Sequence, residues 1–255
     1  MSTKIITVSN QKGGVGKTTT AVNLSAALAE KNKRVLVIDI DPQGNATTGF
    51  RIDKNIQEDT TYAVLMGDCS IKEAIIKNVL PNLDVIPSNV NLSGAEIELT
   101  QFENREFILK KELEYIKDDY DFIFIDCPPS LNTLTLNAMC AANTVLVPIQ
   151  CEYLALEGLS DLIQTINLVR ENLNSELNLE GIVMTMYDGR TSLSEQVSEN
   201  VRETFPELTY KTMIPRNVRL SEAPSFGKPI TIYDSRSSGA DAYRKLAEEI
   251  IQKMN

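Results

Sequence analysis

Lys12-Gly13-Gly14-Val15-Gly16-Lys17-Thr18-Thr19 stands between a short apolar, β-branched run, Ile5-Ile6-Thr7-Val8, and a segment in which Ala21, Leu24 and Leu28 recur at spacings of three and four. The order is strand, glycine loop, helix. In that arrangement the loop amides and the helix N-terminus face the same way and form a cradle for phosphate. The pattern G-x-x-x-x-G-K-[ST] is met in its second half by Gly16-Lys17-Thr18, but its first glycine would fall at Gln11, and the next position carries a second cation, Lys12. Lys17 is thus the candidate for the β- and γ-phosphates of a nucleotide and Thr18 the candidate hydroxyl for Mg²⁺. Lys12 is one charge more than the cradle needs.

Outward from the loop, Val35-Leu36-Val37-Ile38 ends at Asp39, Leu83 to Ile86 forms a third apolar run, and Phe122-Ile123-Phe124-Ile125 ends at Asp126. Val145-Leu146-Val147 and Ile182-Val183-Met184 continue the alternation. Short strands that are apolar throughout, separated by amphipathic helices, predict a parallel sheet covered on both faces. The expected fold is therefore a single-domain α/β P-loop NTPase over residues 1–255, with a mostly parallel central sheet and helices on both faces. Ser70-x-x-Glu73 predicts the start of a helix between the second and third strands. A charged stretch from Glu103 to Lys117 predicts a long helix, residues 45–60 a long loop, and Gly239 to Lys253 a closing helix.

Ligands of such sheets bind at the carboxyl ends of the strands, and two acidic positions stand there. Asp126, followed by Cys127-Pro128-Pro129-Ser130, is placed to join the magnesium shell through a water. In Asp39-Ile40-Asp41-Pro42-Gln43-Gly44-Asn45 a carboxylate can hold an attacking water against the γ-phosphate, with Asp41 the first choice and Asp39 the second.

Composition sets bounds on this reading. A chain of 255 residues with 42% apolar content can bury a large core. It has no histidine, and its four cysteines (69, 127, 140 and 151) form no Cys-x-x-Cys pair, which points away from zinc sites and disulfides and toward a reducing cytoplasm. Met1-Ser2-Thr3-Lys4 runs into the first strand without a leader, and no apolar stretch reaches the roughly 18 residues of a spanning helix. The net charge of −10 argues against a basic coat, yet residues 211–245 hold seven basic side chains against three acidic ones.

Taken together, the loop, residues 39–45, Asp126-Cys127-Pro128-Pro129, Gln150-Cys151-Glu152-Tyr153 and the stretch Ile214-Pro215-Arg216-Asn217-Val218-Arg219-Leu220-Ser221-Glu222-Ala223-Pro224-Ser225 resemble the deviant-Walker ParA/MinD ATPases, and within them the chromosome-partition branch. The resemblance covers essentially the whole chain. It implies that ATP and Mg²⁺ are the cofactors, bound by Lys12, Gly13, Gly14, Val15, Gly16, Lys17, Thr18 and Thr19. It further implies that Lys12 reaches across an ATP-bound homodimer to the partner's phosphates, that Asp41 positions water, and that Pro215 and Asn217 meet the adenine. A charge supplied in trans would act as an arginine finger does and tie ATP occupancy to dimerisation.

The same resemblance implies nonspecific double-stranded DNA as a ligand of the dimer, release through hydrolysis stimulated by a ParB-type protein, and residence on the nucleoid. Arg190, Arg216 and Arg219 are the candidate phosphate contacts, with Lys211 and Arg236 behind them. The first strand begins near residue 4, which leaves no room for an N-terminal helix-turn-helix. The closing helix mixes Leu246, Ala247, Ile250 and Ile251 with Glu248 and Glu249, unlike a basic membrane anchor, so no membrane is expected. The alternatives are a MinD-like ATPase acting on a membrane surface, a metabolic ligase on the same scaffold, and a nucleotide-binding protein without turnover. Cys127 and Cys140 are not arranged as ligands of an iron–sulfur cluster shared between subunits.

Overall fold

The apolar runs form the middle of one seven-stranded sheet in a computed structural model that describes residues 3–153 and 155–253. Met1 and Ser2, part of the segment read for a leader, lie outside the described residues. The strands are β1 (Lys4–Val8), β2 (Val35–Asp39), β3 (Ile76–Leu80), β4 (Leu83–Ile86), β5 (Phe122–Asp126), β6 (Thr144–Gln150) and β7 (Asn178–Thr185), in the order β3-β4-β2-β5-β1-β6-β7. All neighbours are parallel except β3, which is antiparallel to β4. Every residue of β2 and β5 is buried, as expected of strands covered on both faces.

The helices are α1 (Lys17–Glu30), α2 (Asn45–Gly49), α3 (Thr61–Met66), α4 (Leu92–Glu98), α5 (Ile108–Leu113), α6 (Thr133–Ala141), α7 (Ala155–Asn172), α8 (Ser192–Thr204), α9 (Val218–Glu222), α10 (Ile230–Tyr233) and α11 (Ser238–Lys253). Strand alternation divides the core between them. Leu36, Ile38, Ile123 and Ile125 pack with α3 to α8 on one face; Val35, Val37, Phe122 and Phe124 pack with α1, α2 and α9 to α11 on the other. The closing helix buries Tyr243, Leu246, Ala247 and Ile250, and the Tyr243 hydroxyl lies 3.3 Å from that of Thr20 on α1. Its apolar face is thereby occupied.

Three local expectations are corrected. Ser70 and Glu73 do form the capping pair, with the Glu73 carboxylate accepting from the Ser70 amide at 2.8 Å, but the chain makes one turn and enters β3; the helix of this region is α3, upstream of the pair. The stretch 103–117 is not one helix: Asn104 has a left-handed φ of 54°, a single 3₁₀ turn follows, and only Ile108–Leu113 is α-helical. Residues 45–60 begin with α2 rather than a loop.

The register fixes the site. Val8 and Asp39 both pair with Asp126, so the start of the glycine loop and two acidic groups come to the same height at the carboxyl edge of three adjacent strands.

Candidate functional site

Side-chain hydrogen bonds to the neighbouring strands β6 and β7 suspend the glycine loop. Asn10 donates from Nδ2 to the Pro148 carbonyl at 2.8 Å and accepts the Lys12 amide at 2.9 Å on Oδ1. The Thr185 hydroxyl, at the end of β7, lies 2.7 Å from the Val15 carbonyl and 3.0 Å from that of Ile149. Gly14 and Gly16 have φ of 75° and 90°, where a side chain is strained, and a Cβ on Gly13 or Gly14 would meet nothing within 4 Å. The concavity is therefore open. Gly16 caps α1 without a side-chain hydrogen bond, so the first amides of this 14-residue helix face the concavity with the positive end of the dipole behind them.

Lys17 is buried beneath the loop and donates to the Lys12 carbonyl at 3.0 Å. Burial lowers its pKa, and the nearby charges of Asp126, Cys127 and Asp41 raise it in opposition. Asp126 is fully buried, and neither carboxylate oxygen has a hydrogen-bond partner among the described residues. Its carboxyl is pushed well above the ordinary range, first by burial, then by Asp39 and Asp41, while the Thr18 hydroxyl, nearby but outside hydrogen-bond geometry, and Lys17 favour the charged form. A buried carboxylate with both oxygens unsatisfied is costly and asks for a cation, a water or a proton.

That cost has a pH signature. A folded-state pKa above the unfolded one means that the folded chain holds the extra proton, so the associated stability is present below the ordinary carboxylate range and is lost as pH rises toward the folded pKa. Asp126→Asn is therefore expected to raise the urea midpoint of the nucleotide-free protein more at pH 8 than at pH 4. An equal shift at both pH values would remove the buried charge as its cause.

The two aspartates after β2 are used differently. Asp39 is fully buried, and both its oxygens are taken: Oδ1 accepts the Asp41 amide at 3.1 Å, and Oδ2 accepts the amide and hydroxyl of Thr47 at 2.8 and 2.7 Å. Burial raises its pKa to about 6 against these bonds. Asp41 accepts the Gln43 amide on Oδ1 at 2.9 Å and has no hydrogen-bond partner on Oδ2 among the described residues. Only Asp41 has an oxygen to offer.

Lys12 is ion-paired with Glu152, just beyond β6, and both side chains are close to half exposed. Pro215 and Asn217 line a cleft of about 260 Å³ that opens beside the loop and is closed by Gly16, Thr19, Thr185 and Tyr243. The Asn217 side chain also has an internal task, since Oδ1 caps α9 by accepting the Arg219 amide at 2.8 Å and Nδ2 donates to Ser238 at 2.8 Å. One amide hydrogen and one lone pair remain for a ligand.

The candidate arginines are not equivalent. Arg190 forms a two-pronged pair with Asp188 at 2.8 and 2.7 Å, which holds the Asp188 carboxyl down at about 2. Arg219 is held by Glu222 at 2.9 Å and Asp234 at 3.5 Å. Arg216 is exposed and has no ion pair within 4 Å among the described residues, although it lies close enough to add to the field at Asp188. The structure thus brings Arg190 and Arg216 together around Asp188 and turns Arg219 toward its own acids.

Sequence reasoning missed Asn10, Thr47, Ser88 and Thr185. The rule that singled out Asp39 and Asp126, a polar residue at the carboxyl end of a buried strand, would have found Ser88 after β4 and Thr185 in β7.

Four likenesses to known proteins accord with this geometry. Residues 3–179 match the family described as AAA domain. The sporulation initiation inhibitor protein Soj of Bacillus subtilis (strain 168) is 56% identical over 247 residues, covering 97% of this chain and 98% of the relative, and the chromosome partitioning protein ParA of Caulobacter vibrioides is 54% identical over 252 residues, covering 98% and 94%. Among solved structures, a cobyrinic acid a,c-diamide synthase from Mycobacterium smegmatis with bound ADP and magnesium superposes with a TM-score of 0.86 at 37% identity, covering 99% of this chain and 95% of that one.

Proposed function

Because the chain belongs to the Soj/ParA family of chromosome-partitioning ATPases, we propose that it is an ATP-driven switch whose ATP-bound homodimer holds nonspecific DNA and lets go when the ATP is hydrolysed. The observation that carries this reading is the meeting of an open helix N-terminus, a buried lysine and a buried unpartnered carboxylate at one strand edge.

ATP binds with its phosphates against the amides of residues 13–19 and the Lys17 ammonium, and with its base in the cleft of Pro215 and Asn217. Asp126 and Thr18 are the residues that would hold Mg²⁺, and the two unsatisfied oxygens of Asp126 fit a hydrated divalent ion. When bound, that ion spreads the charge of the β- and γ-phosphates. Asp41 holds the attacking water through its unengaged oxygen. Asp39 does not compete for this role, because its lone pairs are already committed to Asp41 and Thr47.

Lys12 acts in trans. Its ion pair with Glu152 is 46% and 43% exposed, and such surface pairs contribute only ~0–1 kcal/mol, so a partner subunit's ATP can draw it away at little cost. A triphosphate desolvated between two subunits attracts an ammonium far more strongly than a solvated glutamate does. Dimerisation then reports ATP occupancy, and a ParB-type protein that completes the site shortens the life of that state. The protein works in the cytoplasm, on the nucleoid.

DNA binding rests on a modest patch that the dimer doubles. Arg216→Glu is expected to weaken binding of the dimer to random duplex roughly tenfold and to lower the salt slope by about two, one for each subunit, because this arginine has no ion pair among the described residues. Arg219→Glu should do less, since Glu222 and Asp234 already neutralise it. An Arg219 effect as large as that of Arg216 would sink this ranking.

A MinD-like role on a membrane is disfavoured by the packing of α11, whose apolar face is spent on α1. The likeness to a diamide synthase raises an amide-forming ligase, whose ATP turnover would depend on a carboxylic acid substrate rather than on DNA. The deciding experiment is a salt-dependent DNA titration in ATP, ADP and no nucleotide, with oligomeric state measured in parallel. Equal DNA binding in all three states, or by the Lys12→Ala variant, would reject the switch.

A further inference from the structure

Asp41 can hold a water only if its backbone is fixed, and the chain fixes it from both sides with residues that have no part in binding nucleotide. Its amide donates to Asp39 Oδ1 at 3.1 Å, and its carbonyl accepts the Ser88 hydroxyl at 2.7 Å. Thr47 joins the two supports, donating its amide and hydroxyl to Asp39 Oδ2 at 2.8 and 2.7 Å and accepting the Ser88 amide on Oγ1 at 2.9 Å. Asp39, Thr47 and Ser88 are each fully buried.

The three belong to different elements: Asp39 ends β2, Thr47 lies in α2, and Ser88 follows β4. Gly44 lets them close on one another. It has φ 60°, and a Cβ there would lie 2.8 Å from the Ser88 carbonyl oxygen. The hydroxyl of Thr47 spends its one hydrogen on Asp39 and accepts the Ser88 amide within this ring, so its purpose is geometric.

We propose that Thr47 and Ser88 are positioning residues for ATP hydrolysis: with Asp39 they clamp both ends of the Asp41 peptide, so that the Asp41 carboxylate meets the attacking water in register. The proposal rests on the ATPase reading of Asp41 given above. A near-attack geometry is sensitive to shifts of about 1 Å, which cost on the order of 100-fold in rate, whereas phosphate binding by the glycine loop does not pass through this ring.

The test compares Ser88→Ala, Thr47→Val, Thr47→Ser and Asp41→Ala in the full chain, by single-turnover phosphate release at saturating ATP with DNA and by nucleotide titration. Ser88→Ala and Thr47→Val are expected to slow hydrolysis tenfold or more, on the order of what misplacement costs, with ATP affinity changed less than about twofold. Thr47→Ser keeps the hydroxyl and should restore hydrolysis. Should Thr47→Val fail to fold, Ser88→Ala decides alone, because the Asp41 carbonyl keeps the Gly44 amide at 2.9 Å and the turn survives. If Asp41→Ala is slow while Ser88→Ala hydrolyses at the wild-type rate, the clamp is wrong and the role of Asp41 stands. Loss of affinity in step with loss of hydrolysis also overturns the clamp. Normal hydrolysis by Asp41→Ala overturns the underlying reading instead.

Discussion

Lys17→Ala should lose ATP affinity by roughly 100-fold or more and remain folded. A charge-assisted hydrogen bond to an anion is worth about 1.5–3 kcal/mol net, which alone is roughly 10- to 150-fold in binding. A second effect has the same sign. Lys17 is the cation that balances Asp126 and Asp41, which lie close enough to shift its own pKa upward against burial. Without it the triphosphate would approach two carboxylates with no intervening positive charge, and the repulsion adds to the lost bond. The fold should tolerate the change, because the hydrogen bond the ammonium makes among the described residues goes to a neutral group, the Lys12 carbonyl, and its burial is a cost that the nucleotide-free protein carries. A fluorescent-nucleotide titration alongside thermal melting separates the two. Unchanged affinity in a folded variant would remove the loop from the site.

The two strands that carry the acids of the site were legible because each is an apolar run that ends in an aspartate. β2 and β5 are buried along their whole length, and a run such as Phe122-Ile123-Phe124-Ile125 admits few other readings. The edge strand β3 was not legible. Ile76-Lys77-Asn78-Val79-Leu80 exposes Lys77 and Asn78, has Asn78 at φ 54°, and pairs antiparallel with a single neighbour, so neither continuous apolarity nor alternation marks it. The break in the charged helix depends on the left-handed Asn104, a backbone state that a side-chain pattern does not reveal.

The same division holds for chemistry. The loop and the acids declare themselves by position at strand ends, whereas Thr47 reads as one more polar residue in Asn45-Ala46-Thr47-Thr48 until folding places it between Asp39 and Ser88. Arg190 and Arg219 illustrate the converse. Their sequence context suggests free cations, but Asp188 and Glu222 stand two and three residues away, and Asp234 is brought in by the fold. Charge counts along a chain therefore overstate the field available to DNA, and Arg216 gains weight for a reason visible only in three dimensions.

Asp41→Ala should slow ATP hydrolysis by about 100-fold or more, since a positioned base or water-holding group contributes on the order of 10²–10⁴. ATP affinity should hold or rise, because the substitution removes a negative charge near the phosphates and leaves Lys17 and the loop amides intact. Asp39 cannot take over the lost role: all of its hydrogen bonds serve Asp41, Thr47 and the α2 turn, and turning toward the site would leave the Thr47 amide unpaired in the core. With hydrolysis blocked and binding kept, the ATP dimer should accumulate and stay on DNA, which light scattering and a DNA-release assay would record. Normal turnover would take Asp41 out of the mechanism. The dimer that accumulates should also need the extra cation of the loop. If Lys12 acts in trans as proposed, adding Lys12→Ala to Asp41→Ala removes the charge meant for the partner's phosphates and leaves the loop amides and Lys17 to the subunit's own ATP, so the double variant should bind ATP and remain a monomer. A stable dimer from the double variant would show that Lys12 serves Glu152 alone, and the coupling of ATP to assembly would have to come from elsewhere in the interface.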